Sequence, residues 1–234
     1  MVTPSPASDR IAVIIPVARG ENEAQKDLLE RVFGKTPELV DVVCAADEAV
    51  SPTVLEAFSR AGARVLLSDA PRGARLSAAA AASDAEILLF LHADTMLPEG
   101  WASSLRGAIA SGAVGGAFRL SFSGGGTRMR WVAFWANART AFTRVPYGDQ
   151  APFVRRDVYE RLGGHPPWPL LDDWALARRV RDAGPIVLLR DAVSTSPRRY
   201  LERGVARTIW KNWKTLWRFR RGASPEELAR DYRK

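Results

Sequence analysis

Four short runs that are apolar throughout, but for Asp41 in the second, and that are separated by stretches of helical pattern constrain this chain more than any other feature. Ile11-Ala-Val-Ile-Ile15, stopped by Pro16, is the first, and Val40 to Ala45 is the second. Val65-Leu66-Leu67 is the third, and Ile87-Leu-Leu-Phe-Leu91 is the fourth and most strand-like. Between them, Leu28, Leu29, Val32 and Phe33 recur at helical spacing and end at Gly34. A second helix is predicted from Ser51 with Pro52 in its first turn, and a third over the Ala-rich run Ala74 to Ala82. A strand that is apolar throughout must be covered on both faces, so the pattern predicts an α/β fold. Its core would be a single, mostly parallel sheet flanked by helices.

In such sheets ligands bind beyond the carboxyl ends of the strands. The positions to read are therefore Arg19 to Glu23, Asp47 and Glu48, Asp69 to Arg75, and His92 to Thr95. The second half is less regular. Gly115 to Phe122 reads as a strand, Arg128 to Thr143 as a long helix, Gly163 to Pro169 as a loop and Leu171 to Ala183 as a helix. There is no internal repeat.

No apolar run approaches the roughly 18 residues that a membrane span needs. The polar stretch from Met1 to Arg10 does not read as a secretory signal. Cys44 is the only cysteine, which excludes an internal disulfide framework and a cysteine-rich zinc site. A cytoplasmic location is the expectation. Charge divides the chain in two: Arg198 to Lys234 holds twelve Lys or Arg against four Asp or Glu, a balance of +8 that equals the net charge of the whole protein. A neutral body, 1–197, is thus expected to carry a basic arm, 198–234.

Several residues could carry chemistry, each with a plainer alternative. Asp94, in Phe90-Leu-His-Ala-Asp-Thr95, ends a buried strand; it could hold a divalent cation against phosphate oxygens or cap a helix near Pro98. Asp172 and Asp173 could be a general base whose pKa is raised by its neighbour, or helix N-caps. Asp149, in Pro146-Tyr-Gly-Asp-Gln150, could bind a sugar hydroxyl or simply build a turn. Arg72 and Arg75 could cradle a diphosphate at a helix start or be solvated. His92 could touch a metal or be a satisfied strand-end residue; His165, in the Gly/Pro loop, is a weaker signal. There is no nucleophile elbow, P-loop or dinucleotide fingerprint.

The tail from Gly204 to Gly222 reads as one amphipathic helix, with Val205, Ile209, Trp210, Trp213, Leu216 and Trp217 on one stripe. Arg207, Lys211, Lys214 and Arg218 flank that stripe. Val205 to Arg221 could lie on a membrane, for which a lipid-linked acceptor would give a purpose, or pack its tryptophans on the body. No nucleic-acid module is recognised, and no nucleic acid is expected.

Taken in order, Ile14-Ile15-Pro16, Arg72-Gly73-Ala74-Arg75, Leu89 to Thr95, Gly116 to Leu120, Pro146 to Ala151 and Leu171-Asp172-Asp173 resemble the family 2 glycosyltransferases of GT-A type. The likeness is greatest to the short bacterial subgroup without transmembrane helices. Thr195-Ser-Pro-Arg-Arg199 and Arg207-Thr208 are similar to that subgroup's tail. The resemblance implies a GT-A (nucleotide-diphospho-sugar transferase) fold over 1–197, a nucleotide-sugar donor, a divalent metal (Mg or Mn) and an inverting single displacement.

It implies Asp94 as metal ligand, Asp173 as general base, and Asp172 where a glutamate is commoner. Asp149, with Tyr147 and Gln150, falls on the sugar or acceptor side. Pro16, Glu21, Glu23, Asp47, Arg72, Arg75 and Ala93 fall on the donor side. It departs from the family at Cys44, which stands where an aspartate usually holds the nucleobase, and at His92, which replaces the first acid of the metal motif. A nucleotidyltransferase, or a nucleotide- or membrane-binding protein without catalysis, is the rival expectation, and a peripheral position on the inner face of the cell membrane would suit the tail.

Overall fold

A computed structural model describes residues 10–18 and 40–233. The helix expected at Leu28 to Gly34, and Glu21 and Glu23, lie outside the described residues. The elements in chain order are β1 (Ile11–Val17), β2 (Val40–Asp47), α1 (Pro52–Arg60), β3 (Arg64–Ser68), α2 (Arg72–Ala81), β4 (Ile87–Phe90), β5 (Thr95–Met96), α3 (Trp101–Ala110) and β6 (Gly115–Phe122). There follow α4 (Gly126–Thr143), a 3-10 turn at Gly148–Gln150, β7 (Phe153–Arg155), α5 (Arg156–Arg161), α6 (Asp172–Ala183) and β8 (Ile186–Thr195). Three helices end the chain: α7 (Arg198–Arg203), α8 (Val205–Arg220) and α9 (Pro225–Arg233).

One eight-stranded sheet runs in the order β3-β2-β1-β4-β7-β6-β8-β5. Its first four strands are parallel, as the apolar runs predict. Successive side chains of a strand point to opposite faces, and the cores follow that rule. Ile11, Val13, Ile15, Cys44 and Leu89 pack on one side with Phe58 of α1 and Leu105 of α3. Ala12, Ile14, Val43, Leu88 and Phe90 pack on the other with Leu76 of α2, Val158 of α5 and Leu176 of α6. Full burial of a side chain such as Phe58, which is 0 % exposed, contributes about 1.5–3 kcal/mol.

The sheet is mostly parallel, as expected: in its other half β6 and β8 also pair in parallel, and two short strands run against the rest. β7 runs antiparallel to both β4 and β6, and β5 antiparallel to β8. β7 has only three residues, and β8 carries Arg190 and Asp191 at its middle beside a register shift in β6. Neither shows the continuous apolar run of a doubly covered strand.

The helix expected over Gly204 to Gly222 is α8, and two shorter helices, α7 and α9, flank it in the basic tail. Helix α9 folds back on α8, where Asp231 pairs with Arg218 at 2.6 Å and the Tyr232 hydroxyl donates to Asn212 at 2.8 Å. Helix α8 buries Thr208 and Thr215, and Leu216 and Phe219 pack against Trp174 and Val145. Trp210, Trp213 and Trp217 face away, 57 %, 62 % and 42 % exposed. The alternative in which these tryptophans pack on the body is therefore overturned.

Candidate active site

A cleft of about 360 Å³ opens where β1, β4, β6 and β8 end, walled on its far side by α8 and Tyr232 of α9. Pro16, Arg72, Arg75, His92, Ala93, Asp94, Tyr147, Asp149, Asp172 and Asp173 all line it. Segments far apart in sequence are brought together here. Gly148 sits so tightly between the walls that a Cβ on it would lie 2.6 Å from His92 Nε2 and 2.7 Å from Asp173 Oδ2.

Asp173 is held by two backbone donors. The Gly148 N–H donates to Oδ2 and the Trp174 N–H to Oδ1, each at 2.8 Å. Burial opposes its charge, but Arg72, His92 and these N–H groups outweigh burial and hold the carboxyl below its ordinary range. This corrects the expectation of a pKa raised by the neighbouring acid. The N-cap alternative also falls: the cap position belongs to Leu171, in a left-handed conformation with φ 63°, and both aspartates are first-turn residues.

Asp172 faces the other way. It is 0 % exposed, and Arg72 Nη1 donates to its two oxygens at 2.7 and 2.8 Å. Burial pushes this carboxyl up while Arg72 opposes. Arg72 Nη2 in turn donates to His92 Nε2 at 3.0 Å, so His92 is an acceptor, and burial together with Arg72 lowers its pKa to about 4. A neutral imidazole bound to a guanidinium through Nε2 has no place for a metal on that nitrogen. Arg72 is thus an ion-paired organiser of the cleft rather than a solvated arginine.

Asp94 is half-buried on the loop after β4. The Thr95 and Thr195 hydroxyls approach its Oδ1 at 3.3 and 3.4 Å. Helix α3 starts at Trp101 behind Gly100, so Asp94 does not cap it. Arg75 is 8 % exposed; it donates to the Val17 carbonyl at 3.4 Å and pairs with Asp47, also at 3.4 Å. Asp47 itself stands outside the cleft, and Cys44 is fully buried in the core. Neither reaches the cleft wall.

Gln150 is also not a cleft residue. It is 0 % exposed, its Oε1 accepting from the Thr140 hydroxyl at 2.6 Å and its Nε2 donating to the Phe118 carbonyl at 3.4 Å. Its part is to fix the Tyr147–Ala151 turn. His165 lies behind the cleft, 4 % exposed, its Nδ1 3.0 Å from the Tyr159 hydroxyl and its ring edge-on to Phe90. Its loop clamps α2: the Gly73 N–H donates to the Trp168 carbonyl at 3.0 Å, and a Cβ on Gly73 would run into the Pro166 carbonyl.

Residues that the sequence pattern alone did not single out complete the cleft, among them Thr195, Arg199, Tyr200, Thr208 and Asn212. The signal was present, because Thr195 to Arg199 and Thr208 belong to the tail motifs that carry the family resemblance.

Asp149 makes no side-chain hydrogen bond among the described residues. Burial pushes it up to about 6, opposed by Arg139 and Arg199 and reinforced by Asp173 and Asp94. The folded carboxyl therefore binds its proton more tightly than the unfolded one, near 3.9. Its contribution to stability is full below about pH 4 and is lost as pH rises through about 6. Asp149→Asn is expected to raise unfolding free energy at pH 7 by up to about 3 kcal/mol and to leave it unchanged near pH 4. Urea denaturation at the two pH values checks this; equal effects at both would refute it.

By sequence, no protein-family model and no curated protein matches the chain. By structure it is similar to TarS from S. aureus, with a TM-score of 0.63 at 15 % identity over 80 % of this chain. It is also similar to TarS 1-349 in complex with UDP-GlcNAc, with a TM-score of 0.58 at 12 % identity over 80 % of this chain. A third likeness is to the mannosyltransferase PcManGT from Pyrobaculum calidifontis in complex with GDP-Man and Mn2+, with a TM-score of 0.62 at 16 % identity over 96 % of this chain. The chain has a glycosyltransferase fold. It spans 36 % of the TarS chain, 62 % of another TarS 1-349 structure, 58 % of the UDP-GlcNAc complex and 68 % of PcManGT.

Proposed function

We propose that this protein is a metal-assisted, inverting glycosyltransferase of family 2, short bacterial type, moving a sugar from a nucleotide-diphosphate donor to an acceptor hydroxyl. The observation that carries the proposal is the convergence of Asp94, Asp149 and Asp173 with Arg72 and Arg75 in one cleft at the strand ends of a glycosyltransferase fold. Two proteins with that fold hold GDP-Man and UDP-GlcNAc.

The donor set decides whether a metal fits. Among the described residues no three His, Cys, Asp or Glu side chains converge on one point. Asp94, the acid that the family resemblance assigns to the metal, would supply one hard oxygen ligand. That fits a Mg- or Mn-type site completed by diphosphate oxygens and water, since such ions are bound by one or two carboxylates plus substrate phosphates. When bound, the ion would neutralise charge on the departing diphosphate.

The chain's own residues do the rest. Asp173 takes the acceptor hydroxyl's proton as that oxygen bonds to the anomeric carbon and the carbon–diphosphate bond breaks on the opposite face. Each Asp173 oxygen spends one acceptor site on a backbone N–H and keeps another for the proton. Its low pKa is no obstacle, because the attacking hydroxyl becomes strongly acidic as its bond to carbon forms. Arg72 and Asp172 position that base, and Arg75 sits where a diphosphate would pass. Asp149, with a pKa near neutrality, is the second carboxylate able to accept the proton.

A thermal-shift screen of UDP-, GDP-, dTDP- and CDP-sugars, with and without Mn, tests the reading. One nucleotide class at 100 times its dissociation constant is expected to add about 2.7 kcal/mol in the presence of metal. The shift should vanish in Asp94→Ala. No shift with any donor would overturn the proposal and favour a protein without transferase activity.

A further inference from the structure

Two helices beside the cleft carry aromatic stripes that stand exposed among the described residues. On α8, Trp210, Trp213 and Trp217 fall within about 60° of arc, and the packed Thr208 and Thr215 lie roughly opposite. On α4, Trp131, Phe134, Trp135 and Phe142 share an arc of about 100°, opposite the packed Met129, Ala133 and Thr140. Those four are 57 %, 58 %, 63 % and 91 % exposed. Contiguous exposed aromatic surface on this scale marks an interaction site.

Helix α8 lines the cleft, and α4 touches residues that adjoin it. The segment leading into α4 meets Pro197 at the start of the tail, where a Cβ on Gly125 would lie 3.5 Å from the proline ring. Near the other end, the Arg139 guanidinium stacks over Tyr147, which joins the cluster holding Leu216 and Phe219 of α8.

Charge says what the surface meets. Residues 126–144 and 205–221 contain ten arginines and lysines and not one aspartate or glutamate. The Lys214 ammonium lies 4.9 Å from the Trp210 ring and the Arg221 guanidinium 4.2 Å from that of Trp217. Aromatic rings interleaved with cations, without acids, match the boundary between acyl chains and anionic headgroups.

We propose that the outward faces of α4 and α8 dock this protein on an anionic lipid bilayer, and that its acceptor is a hydroxyl on a membrane-anchored headgroup. The second clause rests on the glycosyltransferase reading. One face of α8 meets lipid while the opposite face, through Thr208, Asn212 and Thr215, lines the cleft. The cleft wall then stands about one helix diameter, roughly 10 Å, above the bilayer surface. An acceptor of that height is a sugar- or polyol-bearing headgroup rather than a bare lipid hydroxyl.

The test is co-sedimentation of the full chain with vesicles of phosphatidylcholine, alone or mixed with phosphatidylglycerol, without any sugar donor. Binding is expected only to the anionic vesicles, to weaken with salt, and to shift tryptophan emission to the blue. The triple variant Trp210→Ala/Trp213→Ala/Trp217→Ala and the double variant Trp131→Ala/Trp135→Ala should each lower the partition coefficient more than about tenfold. Circular dichroism and the donor thermal shift should be unchanged in both, which separates lost docking from lost folding.

Absence of vesicle binding at low ionic strength would overturn the docking proposal, as would wild-type binding by both variants. A dimer that these variants dissociate would assign the face to a second copy instead, and RNA that displaces vesicles from the same tryptophans would assign it to nucleic acid. Either result overturns the proposal. Vesicle binding with no donor shift would overturn the acceptor assignment alone.

Discussion

Asp173→Asn is expected to lower kcat for donor turnover by about 10²–10⁴-fold, the range for removing a general base, while the metal-dependent donor thermal shift persists. Asparagine keeps the shape but cannot take a proton. Its Oδ1 still accepts one of the two backbone N–H groups of Gly148 and Trp174, and its amide nitrogen cannot accept the other. The variant should therefore lose about 1 kcal/mol of stability, small against the kinetic effect. Release of nucleoside diphosphate, with water serving as a slow acceptor, provides the assay. Retained turnover in Asp173→Asn, with loss in Asp149→Asn, would transfer the base role to Asp149. Loss of the donor shift in Asp173→Asn would place Asp173 on the donor side instead.

Arg72→Met should be the most destabilising single change near the cleft. Its guanidinium contacts both oxygens of Asp172, which has no exposed surface, and donates to His92 Nε2. Removing one partner of a buried ion pair costs about 3–5 kcal/mol, because the other charge stays behind without water. The pH dependence identifies the cause. Without Arg72, the Asp172 carboxyl in the folded state rises further above its unfolded value, so the folded state takes up a proton first on acidification. The deficit against wild type should then shrink as pH falls toward 4. Guanidinium titrations of both proteins at pH 7 and pH 4.5 would show it; a deficit independent of pH would mean that Arg72 acts by packing alone.

The parallel half of the sheet was legible because burial on both faces leaves no polar position in β1 or β4, which a half-exposed strand or an amphipathic helix would have to show. In the mixed half β7 and β8 were hidden: three residues of β7 cannot establish a period, and Arg190-Asp191 interrupts β8. Within the cleft, the motif order brought Asp94, Asp149 and Asp173 to attention, and they do converge. Their electrostatics did not follow from adjacency. Asp173 was expected to be raised by Asp172, yet the Asp172 charge is spent on Arg72, one hundred residues away, and two N–H groups claim Asp173.

Gln150 shows the converse limit, since a motif position can be kept for its hydrogen bonds beneath a turn rather than for a ligand. The direction of α8 was invisible too. Its aromatic stripe and its threonine stripe have the same period, and only tertiary packing shows that the threonines face inward. The aromatic stripe of α4 escaped notice because its packed side is made of Met129, Ala133 and Thr140, too modest a set to mark a core face.

Two of the ties across the cleft, Arg72 to Asp172 and Thr95 to Thr195, each join residues one hundred positions apart. Closing a loop of that length carries an entropic cost that only the assembled sheet can offset. The parallel strands and their helices can gather early from short-range contacts, but these links must wait until β8 and α6 have docked. The cleft is thus a late product of folding, and a chain halted after β6 would hold a compact half-sheet with no site at all. Arg72 and Asp94 would be in place, waiting for partners that the rest of the polypeptide supplies.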